Sequence, residues 1–170
     1  MLIKNEQLAV SPITTHIDVN KISRSINKEK IIKKVKIIDL WFKKNFNIKP
    51  KIAILGLNPH NAELRKNSEE VKIILPAISK LKRLGVRASG PFVADTIFIK
   101  NYKKFDVIVG MYHDQVIAPF KSLFKFDAIN MTLGLKYLRF SPDHGTAPDI
   151  ILKNKANSYS LKKCIDTMID

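Results

Sequence analysis

Apolar and polar positions alternate along the chain in a way that divides it into buried strands and amphipathic helices. Two continuous apolar runs, Lys51–Leu57 (KIAILGL) and Val107–Gly110 (VIVG), are typical of parallel strands buried on both faces. Further strands are predicted at Gln7–Ile17, where the strand runs into a loop, at Val86–Ala88 and at Ala128–Leu133.

Two longer segments have apolar residues at helical spacing. In Asn20–Phe46 the spacing predicts a helix that Asn27 could cap. Ser68–Leu84 is also helical, but Pro76 lies inside it and should kink it or split it in two. Gly85 is placed to end that second helix.

Two shorter helices are predicted at Ala94–Ile99 and Ser158–Ile169, and a turn at Ser89-Gly90-Pro91. Because strands alternate with helices, we expect an α/β fold with a mainly parallel sheet flanked by helices. The pattern is continuous over residues 1–150, and residues 151–170 form a helical tail.

The composition is strongly basic, with 30 Lys and Arg against 15 Asp and Glu and a formal net charge of +15. Such a charge suggests nucleic acid as a partner, yet nearly all the basic residues are lysine. Arginine, which dominates specific base and phosphate recognition, occurs only five times. Lysine, isoleucine and asparagine are abundant together, as an AT-rich coding sequence would produce. We therefore favour general solvated charge over a nucleic-acid surface.

No apolar stretch approaches the roughly 18–20 residues that a membrane crossing needs. Nothing at Met1–Val10 resembles a signal peptide. The single cysteine, Cys164, has no partner in the chain for an internal disulfide, so the reducing cytoplasm is the expected compartment.

The histidines lie where an α/β sheet collects its ligands. His16, His60 and His113 each follow a predicted strand, and His144 lies in the loop SPDHGTAPD. Ligands gather at the carboxyl ends of parallel strands, and neutral imidazole is a good ligand for zinc-like metals. A histidine on its own is more often structural, so the spacing alone leaves both a metal site and four structural residues open.

A second set of polar residues lies downstream. Lys121 and Arg139 could hold a phosphate together with Asn130. The alternative is that they are further polar residues of a lysine-rich surface. Gly145-Thr146-Ala147 supplies a tight turn with free N–H groups, as in phosphate or adenosine loops, but such turns are common.

Five segments together resemble the 4-hydroxythreonine-4-phosphate dehydrogenase family of vitamin B6 biosynthesis. They are TTHI (Thr14–Ile17), GLNPH (Gly56–His60), GPFVADTIF (Gly90–Phe98), GMYHDQ (Gly110–Gln115) and INMTLGLKYLRFSPDHGTAPD (Ile129–Asp149). The resemblance implies an isocitrate/isopropylmalate-dehydrogenase-like fold and a homodimer with active sites at the subunit interface. It also implies that an N-terminal part of the family fold precedes Met1, and that the final helix packs on that part.

The resemblance assigns roles residue by residue. The family's metal ligands fall on His16, His60 and His113, one of them typically from the partner subunit, and its substrate-binding residues fall on Lys121, Asn130 and Arg139. Asp95 and Asp114 match acidic residues near the reacting centre. The region that approaches the nucleotide's adenosine part falls on Asp143, His144, Gly145, Thr146 and Ala147.

The implied reaction is oxidation by NAD or NADP followed by loss of carbon dioxide. It is assisted by one divalent metal, zinc first and magnesium or cobalt as alternatives. Two other functions stay open: a related dehydrogenase of threonate or erythronate 4-phosphate, and a non-catalytic basic binding module. We expect little dehydrogenase activity from the chain alone, and a separately encoded N-terminal half is one possible partner.

This sequence departs from the family in the segment after His60. Family members continue with glycine there, whereas this chain has residues 61–67 without glycine. We therefore expect this loop to be less able to adopt positive φ angles.

Overall fold

The computed structural model describes residues 1–145, 147–151 and 153–169. Seven strands in these residues form a single mixed sheet. They are β1 Leu2–Lys4, β2 Ala9–Pro12, β3 Ile52–Leu55, β4 Ala88–Phe92, β5 Val107–Gly110, β6 Ile129–Met131 and β7 Phe140–Pro142. Their order across the sheet is β4-β3-β5-β2-β1-β6-β7.

Six α-helices accompany the strands in the described residues. They are α1 Ile22–Ser25, α2 Lys28–Phe46, α3 Leu75–Arg83, α4 Ala94–Lys100, α5 His113–Phe124 and α6 Tyr159–Ile169. Helix α2 begins as predicted, because the Asn27 side chain accepts a hydrogen bond from the Lys30 N–H at 2.8 Å. It ends at Asn47, which has a left-handed conformation.

The α/β prediction is confirmed, and the sheet has a parallel and an antiparallel half. Strands β4, β3, β5 and β2 run parallel, whereas β1, β6 and β7 pair antiparallel. Side chains of β3 alternate between the two faces. Ile52 and Ile54 pack on one side with residues of α2 and α3, and Ala53 and Leu55 pack on the other with residues of α4 and α5. The apolar run was therefore a correct sign of a strand covered on both faces.

The predicted turn at Ser89-Gly90-Pro91 is wrong, because these residues lie inside strand β4. Ser89 pairs with Ala53 of β3, and the register then shifts before Leu55. Gly90 has a φ of +135°, and a Cβ atom there would lie 2.2 Å from the Ile54 carbonyl oxygen. The glycine lets the two backbones approach closely, so it marks an irregular strand and not a turn.

Pro76 changes the type of the predicted second helix without ending it. A π-helical turn over Glu70–Ile74 continues directly into α3, since Ile74 and Leu75 both have right-handed helical backbone, and Pro76 lies in the first turn of α3. Gly85, with a φ of +79°, ends α3 as expected, and Val86 N–H donates to the Leu81 carbonyl.

Helix α6 packs on the antiparallel half of the sheet. Ser160 Oγ donates to the Ala128 carbonyl at 2.8 Å and accepts from the Asp143 N–H at 2.9 Å. Cys164 is a buried free thiol on the same helix. Packing of this helix on a preceding N-terminal part stays a prediction. Across the described residues, no helix has the length and apolar character needed to span a bilayer.

Candidate metal and substrate site

The order of the parallel strands decides which predicted site residues meet. Asp95 follows β4, His60 follows β3, His113 follows β5 and His16 follows β2. Since the four strands are neighbours in that order, the loops line one edge of the sheet in the same order. Neighbouring loops supply two pairs, Asp95 with His60 and His113 with His16.

His16 and His113 come together because the loop after β2 is fastened to the end of β5. The Met111 carbonyl accepts hydrogen bonds from Thr14 N–H at 3.1 Å and from Thr14 Oγ1 at 2.8 Å. The two imidazole rings then lie with their centroids 5.5 Å apart, tilted by 46°. A Zn–N distance of about 2.0–2.1 Å and tetrahedral angles place two ligating rings with centroids roughly 5 Å apart. The pair is therefore suitably spaced to share one ion.

Each predicted catalytic acid lies beside a predicted metal ligand. His113 Nδ1 is 2.6 Å from Asp114 Oδ1. His60 Nε2 is 3.7 Å from Asp95 Oδ2. Metal-ligating histidines commonly donate their second ring N–H to a carboxylate, which fixes the tautomer and the ring orientation. Asp114 is positioned to do this for His113 and to leave its Nε2 atom for a metal.

Within the described residues of this single chain, no group of three or more His, Cys, Asp or Glu side chains could hold one metal ion. His60 pairs with Asp95, which follows the outermost strand β4. The His16–His113 pair follows β2 and β5, on the other side of β3. The chain thus offers two imidazoles at one point, which leaves a three-histidine site incomplete.

The loop that carries His60 has an unusual backbone. Residues 60–64 all have φ angles between 49° and 56°, a left-handed turn of five residues without glycine. The expectation that this loop would avoid positive φ is wrong. Left-handed backbone costs roughly 1–2 kcal/mol for each such residue. Compensation comes from Ala62, which is buried, and from Asn61, whose Nδ2 donates to the Pro91 carbonyl at 3.0 Å.

A buried glutamate holds the start of the same loop. Glu70 Oε1 accepts hydrogen bonds from the N–H groups of Leu57 and Asn58, each at 2.8 Å, and Asn58 Nδ2 also contacts its carboxylate. Burial by itself would raise the pKa of Glu70, but the hydrogen bonds from Asn58 and Leu57 outweigh it, so this pKa lies below its ordinary value.

Reasoning from the sequence placed Glu70 in the first turn of a helix and assigned it no further role. It likewise assigned none to Gln115, whose buried side chain joins the ends of β3 and β5. The available signal was the position of Gln115, four residues after Met111 at the end of GMYHDQ and directly before the apolar Val116 and Ile117.

The three predicted substrate residues lie around the antiparallel half of the sheet. Lys121 is in the last turn of α5, Asn130 is in β6 opposite Ser141 of β7, and Arg139 immediately precedes β7. Arg139 Nη1 donates to Thr132 Oγ1 at 2.9 Å. Asn130 Oδ1 is buried and has no hydrogen-bond partner among the described residues, and its role in substrate binding stays a prediction.

Asp143, one of the predicted cofactor residues, contacts the predicted substrate lysine. Its carboxyl side chain is 8% exposed and lies beside the Lys121 ammonium. Burial raises the pKa of Asp143 above its ordinary value, and the Lys121 charge partly opposes that shift.

A cavity of about 810 Å³ lies next to the predicted cofactor loop. Its walls include His144, Gly145 and Ala147 of the predicted cofactor loop, together with Phe126 and Tyr159. The volume and the largely apolar walls suit one end of a dinucleotide.

The predicted cofactor loop includes Thr146 and His144. Thr146 lies outside the described residues. His144 follows β7, which runs opposite to the four parallel strands, so it does not share their carboxyl edge with the other three histidines. The idea that all four histidines lie at one edge is therefore wrong for His144.

Comparison with known proteins gives a consistent set of relatives. The family model described as pyridoxal phosphate biosynthetic protein PdxA matches residues 1–168. The 4-hydroxythreonine-4-phosphate dehydrogenase of Sulfurihydrogenibium sp. (strain YO3AOP1) is 46% identical over 171 residues, which is 99% of this chain and 53% of that protein. The D-threonate 4-phosphate dehydrogenase of Pectobacterium atrosepticum is 35% identical over 163 residues, 95% of this chain and 50% of that protein.

Solved structures that resemble this chain bear the same enzyme name as the first of these relatives. The crystal structure of 4-hydroxythreonine-4-phosphate dehydrogenase from Klebsiella pneumoniae superposes with a TM-score of 0.84 at 35% identity, covering 98% of this chain and 51% of that one. A putative 4-hydroxythreonine-4-phosphate dehydrogenase from Salmonella typhimurium gives 0.82 at 36% identity, with 98% and 52% covered. The chain spans about half the length of the curated relatives it matches.

Proposed function

This chain belongs to the pyridoxal phosphate biosynthetic protein PdxA family, and we propose that it supplies the metal- and phosphate-binding half of a 4-hydroxythreonine-4-phosphate dehydrogenase. The reaction would be NAD- or NADP-linked oxidation and decarboxylation of 4-phosphooxy-threonine. The names of the relatives support the dehydrogenase class.

One observation carries the proposal. His16 and His113 lie 5.5 Å apart at the carboxyl edge of the parallel strands, and Asp114 contacts the Nδ1 atom of His113. Two imidazoles at ligand spacing, one of them oriented by a carboxylate, are the expected parts of a catalytic metal site. A non-catalytic basic module would bind through its positive charge and would not require two imidazoles at this spacing.

The roles of the chain's own groups follow from their chemistry. His16 and His113 would hold a divalent metal, zinc in the first instance, which supplies Lewis-acid activation of a substrate hydroxyl. Asp114 fixes the His113 ring, and Asp95 is a carboxylate available to accept a proton at the same edge. Lys121 and Arg139 would bind the anionic ends of the substrate.

His60 would complete the metal site from a second copy of the chain. This accounts for its separation from the His16–His113 pair and follows the family expectation of a shared site. Apolar side chains on α4 and α5 provide a surface for such a copy, since Ile99 is 73% exposed and Leu123 is 43% exposed. A groove of about 620 Å³ between these helices also contains Asp95.

Zinc titration calorimetry on single variants tests the metal site. His16→Ala and His113→Ala should each abolish tight binding, and so should His60→Ala if it is the third ligand. His144→Ala is the matched control, because it removes an imidazole that follows an antiparallel strand. Unchanged zinc binding in all three predicted ligand variants would refute the assignment.

Mixing His16→Ala with His60→Ala protein tests the shared site. In a mixed dimer one site loses both ligands and the other retains His16, His113 and the partner subunit's His60. Random exchange of subunits should then restore about one quarter of the wild-type zinc sites. Ligands that all came from one chain would give no restoration.

The cofactor assignment rests on the cavity lined by the predicted cofactor loop. His144, Gly145 and Ala147 would contact the adenosine part of NAD or NADP there, and the cofactor accepts the hydride. Fluorescence quenching or calorimetry with each dinucleotide measures this directly. A bulky substitution such as Ala147→Trp should abolish binding. We expect the protein to act in the cytoplasm, where Cys164 stays reduced.

Threonate 4-phosphate is the alternative substrate, because a relative at 35% identity bears the name D-threonate 4-phosphate dehydrogenase. The two substrates differ at the carbon next to the carboxylate, which carries an amino group or a hydroxyl. Calorimetry with both compounds in the presence of zinc distinguishes them, and tighter binding of threonate 4-phosphate would favour the alternative.

A further inference from the structure

Gln115 is a buried amide that joins two of the strands that lead to the site. It lies in the first turn of α5 and is 9% exposed. Its Oε1 atom accepts a hydrogen bond from the Met111 N–H at 2.6 Å, just beyond β5. Its Nε2 atom donates to the Gly56 carbonyl at 2.8 Å, just beyond β3. One side chain therefore connects the loop before His113 with the loop before His60.

The absence of a side chain at Gly110 leaves room for the Gln115 amide. A Cβ atom at Gly110 would lie 2.6 Å from Val116 Cγ1 and 3.0 Å from Gln115 Oε1. A carboxylate at position 115 could accept from Met111 but could not donate to Gly56, and an apolar side chain could do neither. The position thus uses both halves of the amide.

Glu70 holds the next residues of the same loop. It accepts from the N–H groups of Leu57 and Asn58, directly after the carbonyl that Gln115 binds. The three consecutive residues 56–58 are therefore fixed by two buried side chains from different parts of the chain. His60 follows two residues later, so the orientation of its loop depends on this anchorage.

We propose that Gln115 is a positioning residue for the metal sites: it holds the loop that carries His113 for one site of the dimer and the loop that carries His60 for the other. This inference rests on the proposed metal site. Gln115 touches neither histidine, and it acts through the backbone of Gly56 and Met111. Side chains hydrogen-bonded directly to metal ligands commonly change metal affinity by about 10–100-fold when they are replaced, and a residue that sets the backbone of the ligand loops is expected to act in the same direction.

The test compares Gln115→Met and Gln115→Glu with Asn5→Ala in the full chain. Asn5 is an equally buried amide whose Oδ1 accepts from the N–H groups of Gln7 and Leu8, at the far end of β2. Gln115→Met and Asn5→Ala each remove two buried hydrogen bonds from a side chain to the backbone, whereas Gln115→Glu removes one. Zinc affinity is measured by competition with a chelator, and backbone order by hydrogen exchange at Met111 and Asn58.

Gln115→Met should weaken zinc binding by about 10–100-fold and speed exchange at Met111 by roughly tenfold or more. Gln115→Glu retains the hydrogen bond from the Met111 N–H, so this amide should exchange as slowly as in wild type. Zinc binding should still be weakened, because the hydrogen bond to the Gly56 carbonyl is lost. Asn5→Ala should lower the melting temperature but leave zinc affinity and both amides within about twofold of wild type.

Two failures remain distinct. If the wild-type chain binds zinc tightly and Gln115→Met and Gln115→Glu bind it equally well, the role of Gln115 is refuted and the metal site stands. If the wild-type chain binds no zinc, the proposed metal site is refuted and the role of Gln115 fails with it. Weakened zinc binding in Asn5→Ala to the same extent would also overturn the inference, since general destabilisation would then explain the effect.

Discussion

The ammonium group of Lys121 lies 3.2 Å from the main-chain carbonyl oxygen of Asp143 and 3.5 Å from its Oδ1 atom. The same ammonium is 5.3 Å from the centre of the Phe126 ring. A flexible lysine is thereby held in one place at the end of α5, with Asp143 Oδ2 buried and unpartnered among the described residues. Asp143 thus orders the lysine proposed to bind substrate.

The buried carboxyl of Asp143 should make stability depend on pH. Its folded-state pKa is raised by burial, with Lys121, His144 and His113 acting in the opposite direction. A raised carboxyl pKa contributes stability below about pH 4 that is lost as pH rises through the folded value. Asp143→Asn resembles the protonated acid, so it should gain stability relative to wild type as pH increases over that window.

The free energy of unfolding of both proteins is measured by urea denaturation across about pH 4–8, a range that begins near the ordinary aspartate pKa. Asp18→Asn removes a carboxylate from an exposed pair with Lys21 and is the control. A stability difference between Asp143→Asn and wild type that stays constant with pH would contradict the expectation.

Lys121 should contribute a specific contact to a phosphorylated ligand. Hydrogen bonds to charged groups are worth about 1.5–3 kcal/mol, so Lys121→Met should weaken binding of 4-phosphooxy-threonine by roughly tenfold or more. Lys33→Met is the control, because it removes the same charge from the exposed face of α2. Equal weakening in both variants, measured by calorimetry, would mean that the net charge of +15 attracts the ligand without a defined site.

Removing the charge of Glu70 should destabilise the loop before His60. Glu70→Gln keeps one carbonyl acceptor but loses the charge that strengthens bonds from Leu57 and Asn58. We expect a loss of about 2–3 kcal/mol at neutral pH. The lowered pKa means that wild type loses the same stability only as pH falls through the folded value. The two proteins should therefore converge in acid.

Guanidinium unfolding at neutral and acidic pH measures that convergence. Glu6→Gln, at a side chain that is 91% exposed, should change stability by less than about 0.5 kcal/mol. A Glu70→Gln protein as stable as wild type at neutral pH would show that the buried hydrogen bonds do not depend on the charge.

The left-handed turn after His60 should accept glycine. Glu63 is exposed and has a φ of 51°, so a glycine there would remove roughly 1–2 kcal/mol of left-handed backbone cost from the folded state. Glycine also raises the entropy of the unfolded chain, but this destabilises the protein by less than that amount. Glu63→Gly should therefore stabilise the protein by about 0.5–1 kcal/mol. Lys33→Gly in the interior of α2 should destabilise it by about 1 kcal/mol. Thermal unfolding compares them, and a loss of stability in Glu63→Gly would count against the left-handed turn.

Local rules recovered the elements whose cause lies within a few residues. The continuous apolar runs identified β3 and β5 because both faces of these strands are covered. Asn27 marked the start of α2 through the acceptor on its side chain, and Pro76 marked the change of helix type at α3 through its missing backbone N–H. The short strands β1 and β7 carried no comparable pattern, since three residues are too few to show a period.

The sequence by itself determined that this is an α/β protein and that its histidines follow strands, and its five motifs pointed to the family. Only the tertiary structure decided that His16 meets His113 while His60 meets Asp95, because strand order is set by pairing between segments far apart in the chain. The same long-range packing turned Gln115 and Glu70 into anchors of the site. Their hydrogen-bond partners lie 59 and 13 residues away in the chain, beyond the reach of any local pattern.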